Sequence, residues 1–156
     1  MEVDMVGYIC SLVAIMFTLG GCATYHDANR ERLEKLPQHY SQFDAVLAWQ
    51  ISNEDSQTVV DGEFKNIRYE FMNNIEVWVE ALDASGKPVA RSVSFILPNE
   101  LKHDDIAPFG LELPVKAMPG TKLRFTYKYM GSDGGGSEGD GLNWMQSFDA
   151  EVPNQQ

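Results

Sequence analysis

The hydrophobic and polar positions divide the chain into three parts. Residues 6–20 form an uncharged, largely apolar run, and residues 23–43 are polar with scattered apolar side chains. From Asp44 onward, apolar and polar residues alternate with a period of two, interrupted by turn residues about every eight to twelve positions. This alternation predicts strands with one buried face, and the regular turns are typical of an antiparallel β-sandwich or barrel.

Seven strands are predicted in the alternating part, which suits an immunoglobulin-like antiparallel sandwich of the all-β class. They cover residues 45–51, 58–65, 69–82, 89–97, 109–115, 121–130 and 144–152. Asn73 and Asn74 mark a kink in the third strand, and Gly86 suits a positive φ in the turn that follows it. Pro98 ends the fourth strand, and residues 99–105 are expected to form a polar loop.

The third strand supplies the first candidate site. One face, predicted to be core, carries Ile75, Val77, Val79 and Ala81, and the other carries Glu76, Trp78 and Glu80. In an immunoglobulin-like arrangement the neighbouring strand is 121–130, and its outer face carries Lys122, Arg124, Thr126 and Lys128. Cross-strand charge pairs are then expected. The face is interpreted either as an ordinary outer surface, with Trp78 lying across basic side chains, or as a binding face centred on Trp78.

The N-terminal apolar run closes on Leu19-Gly20-Gly21-Cys22. Small residues let a chain enter a protease cleft in extended form, and the cysteine supplies a sulfur that accepts a diacylglycerol. The motif resembles the lipobox of bacterial lipoprotein precursors, and the run resembles the apolar region of a signal peptide. This resemblance implies a signal peptide over residues 1–21, cleavage after Gly21, a lipidated N-terminus and tether over 22–43, and the sandwich over 44–156. Membrane lipid is then a partner through acylated Cys22.

Two features leave alternatives open at the N-terminus. Signal peptides begin with Lys or Arg, whereas this chain begins with Glu2 and Asp4, which a start at Met5 would remove. Residues 6–23 also approach the length of a transmembrane helix, and the basic residues after them would then place the domain in the cytoplasm. Cleavage is favoured because the glycines and Cys22 stand at the end of the run, where cleavage requires small residues.

A second resemblance lies within the alternating part and covers residues 58–130. Its motifs are Gly62-Glu63-Phe64-Lys65-Asn66, residues 76–82 leading into Asp83-Ala84-Ser85-Gly86, and Ala107-Pro108-Phe109. The stretch resembles the FxLYD-type domains of prokaryotic envelope proteins, although the positions of the naming motif read Val79-Glu80-Ala81-Leu82-Asp83 and keep its Asp. The resemblance implies a small immunoglobulin-like sandwich of the kind often found on lipoproteins.

The net charge and the two cysteines argue against several kinds of partner and site. The formal net charge is −11; without Glu2 and Asp4 it is −9. This acidity argues against nucleic acid as a partner and against electrostatic adsorption to anionic lipid. Cys10 would leave with the signal peptide and Cys22 would be acylated, so no thiol would remain for a disulfide or a metal.

Two loops contain further candidate sites. The glycine-rich stretch 131–141 carries Asp133, Glu138 and Asp140, which are possible Ca²⁺ ligands without EF-hand spacing, and a hairpin loop is favoured there. His103 precedes two aspartates in the polar loop, where a solvated role is favoured over proton transfer or metal binding. No motif of a nucleophile or phosphate loop is present, so neither an enzyme nor a cofactor is predicted.

These observations predict a membrane-anchored envelope lipoprotein whose non-catalytic sandwich acts as a binding or assembly adaptor for other envelope proteins. Ala23 rather than Asp follows Cys22, which favours the outer membrane, with the domain facing the periplasm. The alternative is a calcium-dependent or carbohydrate-binding module that uses the glycine-rich loop and Trp78.

Overall fold

The computed structural model describes residues 21–134 and 141–154. One helix and nine strands make up this part of the chain. They are α1 (Gly21–Lys35), β1 (Gln38–Ser41), β2 (Ala45–Glu54), β3 (Gln57–Asn66), β4 (Phe71–Leu82), β5 (Pro88–Phe95), β6 (Glu100–Lys102), β7 (Ile106–Leu113), β8 (Lys122–Ser132) and β9 (Leu142–Glu151).

The strands form two antiparallel sheets packed face to face, which confirms the predicted sandwich. Sheet I has the order β1-β2-β3-β7, and sheet II has the order β5-β4-β8-β9, with β6 also paired to β4. Seven of the nine strands correspond to the predicted ones, and β4 and β8 are neighbours as an immunoglobulin-like order requires. The two additional strands are β1 and β6.

The turn residues act where the sequence indicates. Asp55 has φ 50° in the two-residue turn between β2 and β3, and Gly86 has φ 81° in the turn after β4. Asn74 has φ 52° at a register shift in β4, so the predicted kink is a β-bulge. Asparagine tolerates this left-handed conformation better than most residues do, which is why the bulge falls at this position.

The core lies between the two sheets and is rich in aromatic rings. On β4 the predicted inward residues from Ile75 to Ala81 are buried, and on β8 the inward side chains Leu123, Phe125, Tyr127 and Tyr129 are buried as well. Phe125 and Phe148 stack with ring centroids 5.1 Å apart, and Phe148 stacks in turn on Tyr40 of β1 at 3.7 Å. This stack joins β1 to β9 and closes one side of the sandwich.

The loop prediction for residues 99–105 is wrong in its first part. Residues Glu100–Lys102 form β6, and Leu101 is buried against the core. The strand is three residues long, too short for an alternation to show in the sequence. It pairs with the first residues of β4 and so covers the start of that strand.

The predicted tether over residues 22–43 is packed on the domain from Asn29 onward. Leu33 of α1 and Leu36, which directly follows the helix, are buried against Ala48 and Ile106 on the outer face of sheet I, and β1 pairs with β2. The sequence predicts a short helix here, with Asn29 as its cap and residues 30–36 following, and Leu33 and Leu36 are the residues expected to be able to contact the domain. The packed domain therefore begins before residue 44.

Candidate binding face

The outer face of sheet II is organised in cross-strand rows that the register sets. One row is Arg91, Glu80, Arg124 and Asp149; the next is Val93, Trp78, Thr126 and Ser147; the third is Phe95, Glu76, Lys128 and Met145. Each row takes one residue from β5, β4, β8 and β9 in that order. These twelve residues are called the Trp78 face below, and they include all three predicted binding-face residues.

The charges on the Trp78 face are paired with one another. Arg91 Nε donates to Glu80 Oε1 at 2.7 Å, and Arg124 Nε donates to Asp149 Oδ1 at 2.8 Å. The hydrogen bond from Arg124 lowers the pKa of Asp149 below its ordinary value. Lys128 Nζ lies 3.6 Å from Glu76 Oε2. Three bases thus neutralise three acids on the face.

Trp78 lies at the centre, between basic side chains. Its Nε1 donates to Glu76 Oε2 at 2.6 Å, and Lys128 Nζ and Arg91 Cζ lie 4.9 and 5.7 Å from its ring centroid. The predicted arrangement of Trp78 across basic side chains is therefore present. The cations occupy positions that a stacked sugar ring would need, which is unfavourable for carbohydrate recognition by this tryptophan.

Apolar side chains border this charged centre. Phe95 is 65% exposed on β5, and Met145 is 62% exposed on β9. Between Trp78, Arg124 and Met145 the surface forms a shallow cleft of about 320 Å³. An aromatic centre, satisfied polar groups and exposed apolar margins are features of protein-binding surfaces.

The predicted lipidation site lies at the beginning of α1. Gly21 and Cys22 are the first two residues of the helix, whereas Leu19 and Gly20 lie outside the described residues. Among the residues that the structure describes, no helix is both long and apolar enough to span a membrane.

The predicted calcium ligands are only partly placed. Asp133 is exposed at the end of β8, while Glu138 and Asp140 lie outside the described residues. Within residues 21–134 and 141–154, no group of three or more His, Cys, Asp or Glu side chains comes together in a way that could hold a cation.

His103 belongs to a structural turn. Its Nδ1 lies 3.4 Å from Asp104 Oδ2, and Lys65 Nζ lies 2.8 Å from the other oxygen of Asp104. The hydrogen bond from Lys65 lowers the pKa of Asp104. The backbone N–H of Lys102 donates to Asp105 Oδ2 at 2.9 Å. These contacts fix the turn between β6 and β7.

The sequence does not reveal two buried acids. Asp44 is buried between the sheets and accepts hydrogen bonds from the hydroxyls of Tyr127 at 2.9 Å and Tyr129 at 2.7 Å. Burial, followed by the bond to Asp44, raises the pKa of both tyrosines far above the ordinary value, so both hydroxyls remain donors. The residues are more than eighty positions apart, and no local pattern marks the pairing.

The second buried acid lies under α1. Arg32 Nη1 donates to Glu63 Oε1 at 2.7 Å, and its Nη2 pairs with Asp61. Glu63 is fully buried, and its Oε2 has no hydrogen-bond partner among the described residues. Burial raises the pKa of Glu63, and the charge of Arg32 partly opposes the shift.

Comparison with known proteins supports the fold. No protein-family model matches the chain, and no curated protein is detectably similar to it in sequence. The GAE domain of GGA2p from Saccharomyces cerevisiae is similar in structure, with a TM-score of 0.50 and 15% identity over 76% of this chain and 98% of that one. The GAE domain of yeast GGA1 has a TM-score of 0.46 and 11% identity over 73% and 96%. A glycoside hydrolase family 2 β-glucuronidase has a TM-score of 0.40 and 10% identity over 69% of this chain and 11% of that enzyme.

Proposed function

We propose that the protein is a lipid-anchored envelope protein whose β-sandwich binds another envelope protein through the Trp78 face and catalyses no reaction. Its anchor is the acylated Cys22, which becomes the N-terminus after cleavage behind Gly21. The sandwich faces the periplasm and is held at the outer membrane. The anchor is supported by the position of Leu19-Gly20-Gly21-Cys22 at the end of an apolar run. The assignment to the outer membrane is supported by Ala23, which follows Cys22 where an Asp is absent.

The observation that carries the binding function is the neutral Trp78 face on an otherwise acidic chain. The whole chain has a formal charge of −11, whereas three bases and three acids balance on this face. Because the face has no net charge, it does not repel an acidic partner as the rest of the surface does. Trp78, Phe95 and Met145 offer the large apolar contacts that anchor protein interfaces.

A non-catalytic role is supported by the chemistry of the polar clusters. His103 is held in a turn with Asp104, and the two buried acids bind hydroxyls or a guanidinium that hold elements together. In each case the contacts join the side chain to a neighbouring part of the fold. Binding then follows from the surface rather than from a reactive group.

A site-specific photo-crosslinking experiment tests the binding face. The photoreactive residue replaces Ser147, which lies in the same cross-strand row as Trp78 with Thr126 between them, or Ser52, which is exposed on the outer face of sheet I. In intact cells we expect one discrete crosslinked protein from Ser147 and none from Ser52. Adding Trp78→Ala should reduce the Ser147 product at least several-fold while the melting temperature shows that the domain remains folded.

Two results would reject the binding face. Equal crosslinking from both positions would show that the contact is not specific to sheet II. An unchanged Ser147 product in the Trp78→Ala protein would show that the tryptophan does not contribute to the contact.

A further inference from the structure

The direction of α1 determines which end of the sandwich lies nearest Cys22. Asn29 Nδ2 donates to the carbonyl of Ile106 at 3.2 Å, where β7 begins and β3 ends, and Arg32 then reaches Glu63 further along β3. The helix therefore runs from this end of sheet I towards its middle, and its first turns project beyond the end. From Cys22 to Asn29 the rise is about 10 Å at 1.5 Å per residue.

The same end of the sandwich has an apolar corner. Phe43 immediately precedes β2 and is 51% exposed, and Leu142 opens β9 and is 52% exposed. The ring of Phe43 meets Trp144 edge-on, with centroids 5.5 Å apart. Phe43, Leu142 and Trp144 together are called the apolar corner.

We propose that the apolar corner rests on the bilayer surface, with Phe43 and Leu142 in the interfacial region of the lipid. The inference rests on the proposed lipid anchor at Cys22, since the anchor brings this end to within about 10 Å of the headgroups. Aromatic and aliphatic side chains of this kind partition into the interface. Two side chains alone bind weakly, but the anchor raises their effective concentration at the surface.

The contact is apolar rather than electrostatic. Charges of both signs surround this end, with Arg30, Lys65, Arg68 and Lys102 set against Glu70, Glu100, Asp104, Asp105 and Asp133. Because this set is not net positive, it offers no net attraction to anionic lipid, and the chain as a whole is acidic. The orientation should therefore persist at high salt.

Fluorescence quenching by lipid tests the orientation with the full acylated chain. A thiol-reactive, environment-sensitive dye is placed at Phe43→Cys, Leu142→Cys or the control Met118→Cys, because acylation and cleavage remove both native thiols. Met118 is 62% exposed in the loop before β8, at the opposite end of the sandwich. In vesicles of zwitterionic lipid with a headgroup-depth quencher, we expect at least threefold stronger quenching at positions 43 and 142 than at 118, unchanged by molar salt.

A second experiment keeps the dye at one position and changes the apolar corner itself. With the dye at the exposed Asp133→Cys, Phe43→Ser plus Leu142→Ser should lower the quenching at least twofold. Val89→Ser plus Met118→Ser, which alters two exposed apolar residues at the other end, should leave it unchanged.

The outcomes distinguish this inference from the proposed function. Equal quenching at both ends, on a chain whose intact mass shows acylated Cys22, overturns the orientation and leaves the anchor standing. A mass without acyl chains overturns the anchor, and the orientation fails with it.

Discussion

Asp44 is the residue on which the polar interior of the sandwich depends. It is buried, and each carboxylate oxygen accepts one tyrosine hydroxyl from β8. Asp44→Ala should destabilise the domain by about 2–5 kcal/mol, because two buried hydroxyls lose their acceptor. Tyr129→Phe, which removes one of the two bonds, should cost about 1–2 kcal/mol in the same urea titration. Equal losses for the two variants would show that Asp44 does not serve both hydroxyls.

Glu63 should make stability depend on pH in the opposite direction from an exposed carboxyl. Its pKa is raised above the ordinary 4.5, so the folded state binds the proton more tightly than the unfolded chain does. The stability that Glu63 contributes is then fully present below pH 4.5 and is lost as pH rises through its folded pKa. We expect the free energy of unfolding of the wild type, minus that of Glu63→Gln, to fall over this range.

The Glu63→Gln variant is the matched control because its amide oxygen can still accept from Arg32. Exposed acids such as Asp104 and Asp149 have lowered pKa values, and their contributions are lost as pH falls. They are common to both proteins and cancel in the difference. A difference that stays constant between pH 4 and 8, or rises, would contradict the assignment to Glu63.

At the residue scale, the sequence indicates which way a side chain points better than how deeply it is buried. The alternation along β3 correctly places Glu63 on the opposite face from Phe64. That face is solvent-exposed in a simple two-layer sandwich. Glu63 is buried because α1 covers it, and the sequence does not indicate which residues of the sheet that helix covers.

At the scale of elements, strand β3 packs tightly against β2 and β7 at Gly62. A glycine in a strand pattern suggests a bulge, yet β3 pairs with β2 and β7 here in regular register. A Cβ at Gly62 would lie 2.3 Å from the carbonyl oxygen of Ala48 and 2.6 Å from Cζ of Phe109. The glycine is required because the Ala48 carbonyl and the Phe109 ring occupy the space.

Gly62→Ala should therefore lower the free energy of unfolding by roughly 1–3 kcal/mol, since the backbone or the Phe109 ring must move. Gly110→Ala is the control, because its Cβ would meet Asp61 at an ordinary 3.8 Å. We expect that variant to be neutral or slightly stabilising in denaturant titration. Equal effects would mean that strand propensity, rather than the close approach of Phe109, decides the result.

The packing of α1 against sheet I makes the helix part of the folded domain. Leu36→Ala should lower the free energy of unfolding by about 2–3 kcal/mol, because Leu36 is buried against sheet I. Lys35→Ala, at the adjacent exposed position, removes a surface ion pair with Glu31 and should leave the unfolding midpoint nearly unchanged. A Leu36→Ala protein as stable as Lys35→Ala would show that the packing at the C-terminal end of α1 does not contribute to stability.

The sequence predicts the strands in which the alternation of apolar and polar residues continues over many positions. β4 and β8 alternate over ten or more residues, so their inward and outward faces and their pairing follow from the pattern. β6 has three residues and β1 has four, and neither is long enough to show a period. Their positions depend on long-range pairing that local pattern does not encode.

For the molecule as a whole, the two proposed surfaces lie on different parts of one sandwich. The apolar corner is at the end from which α1 projects, and the Trp78 face lies along the side of sheet II. A domain held by its end at a membrane leaves its side free for a protein partner. The sequence predicts the candidate residues Glu76, Trp78 and Glu80, but the neutral balance of the face depends on β5 and β9 as well.

The intact mass of the protein in the membrane fraction decides whether Cys22 is the lipid anchor. We predict a chain that begins at Cys22 and carries the added mass of a diacylglycerol and any further acyl chain, with the modification absent from Cys22→Ser. A membrane-bound chain that still begins at Met1 or Met5, with unmodified Cys22, would contradict it.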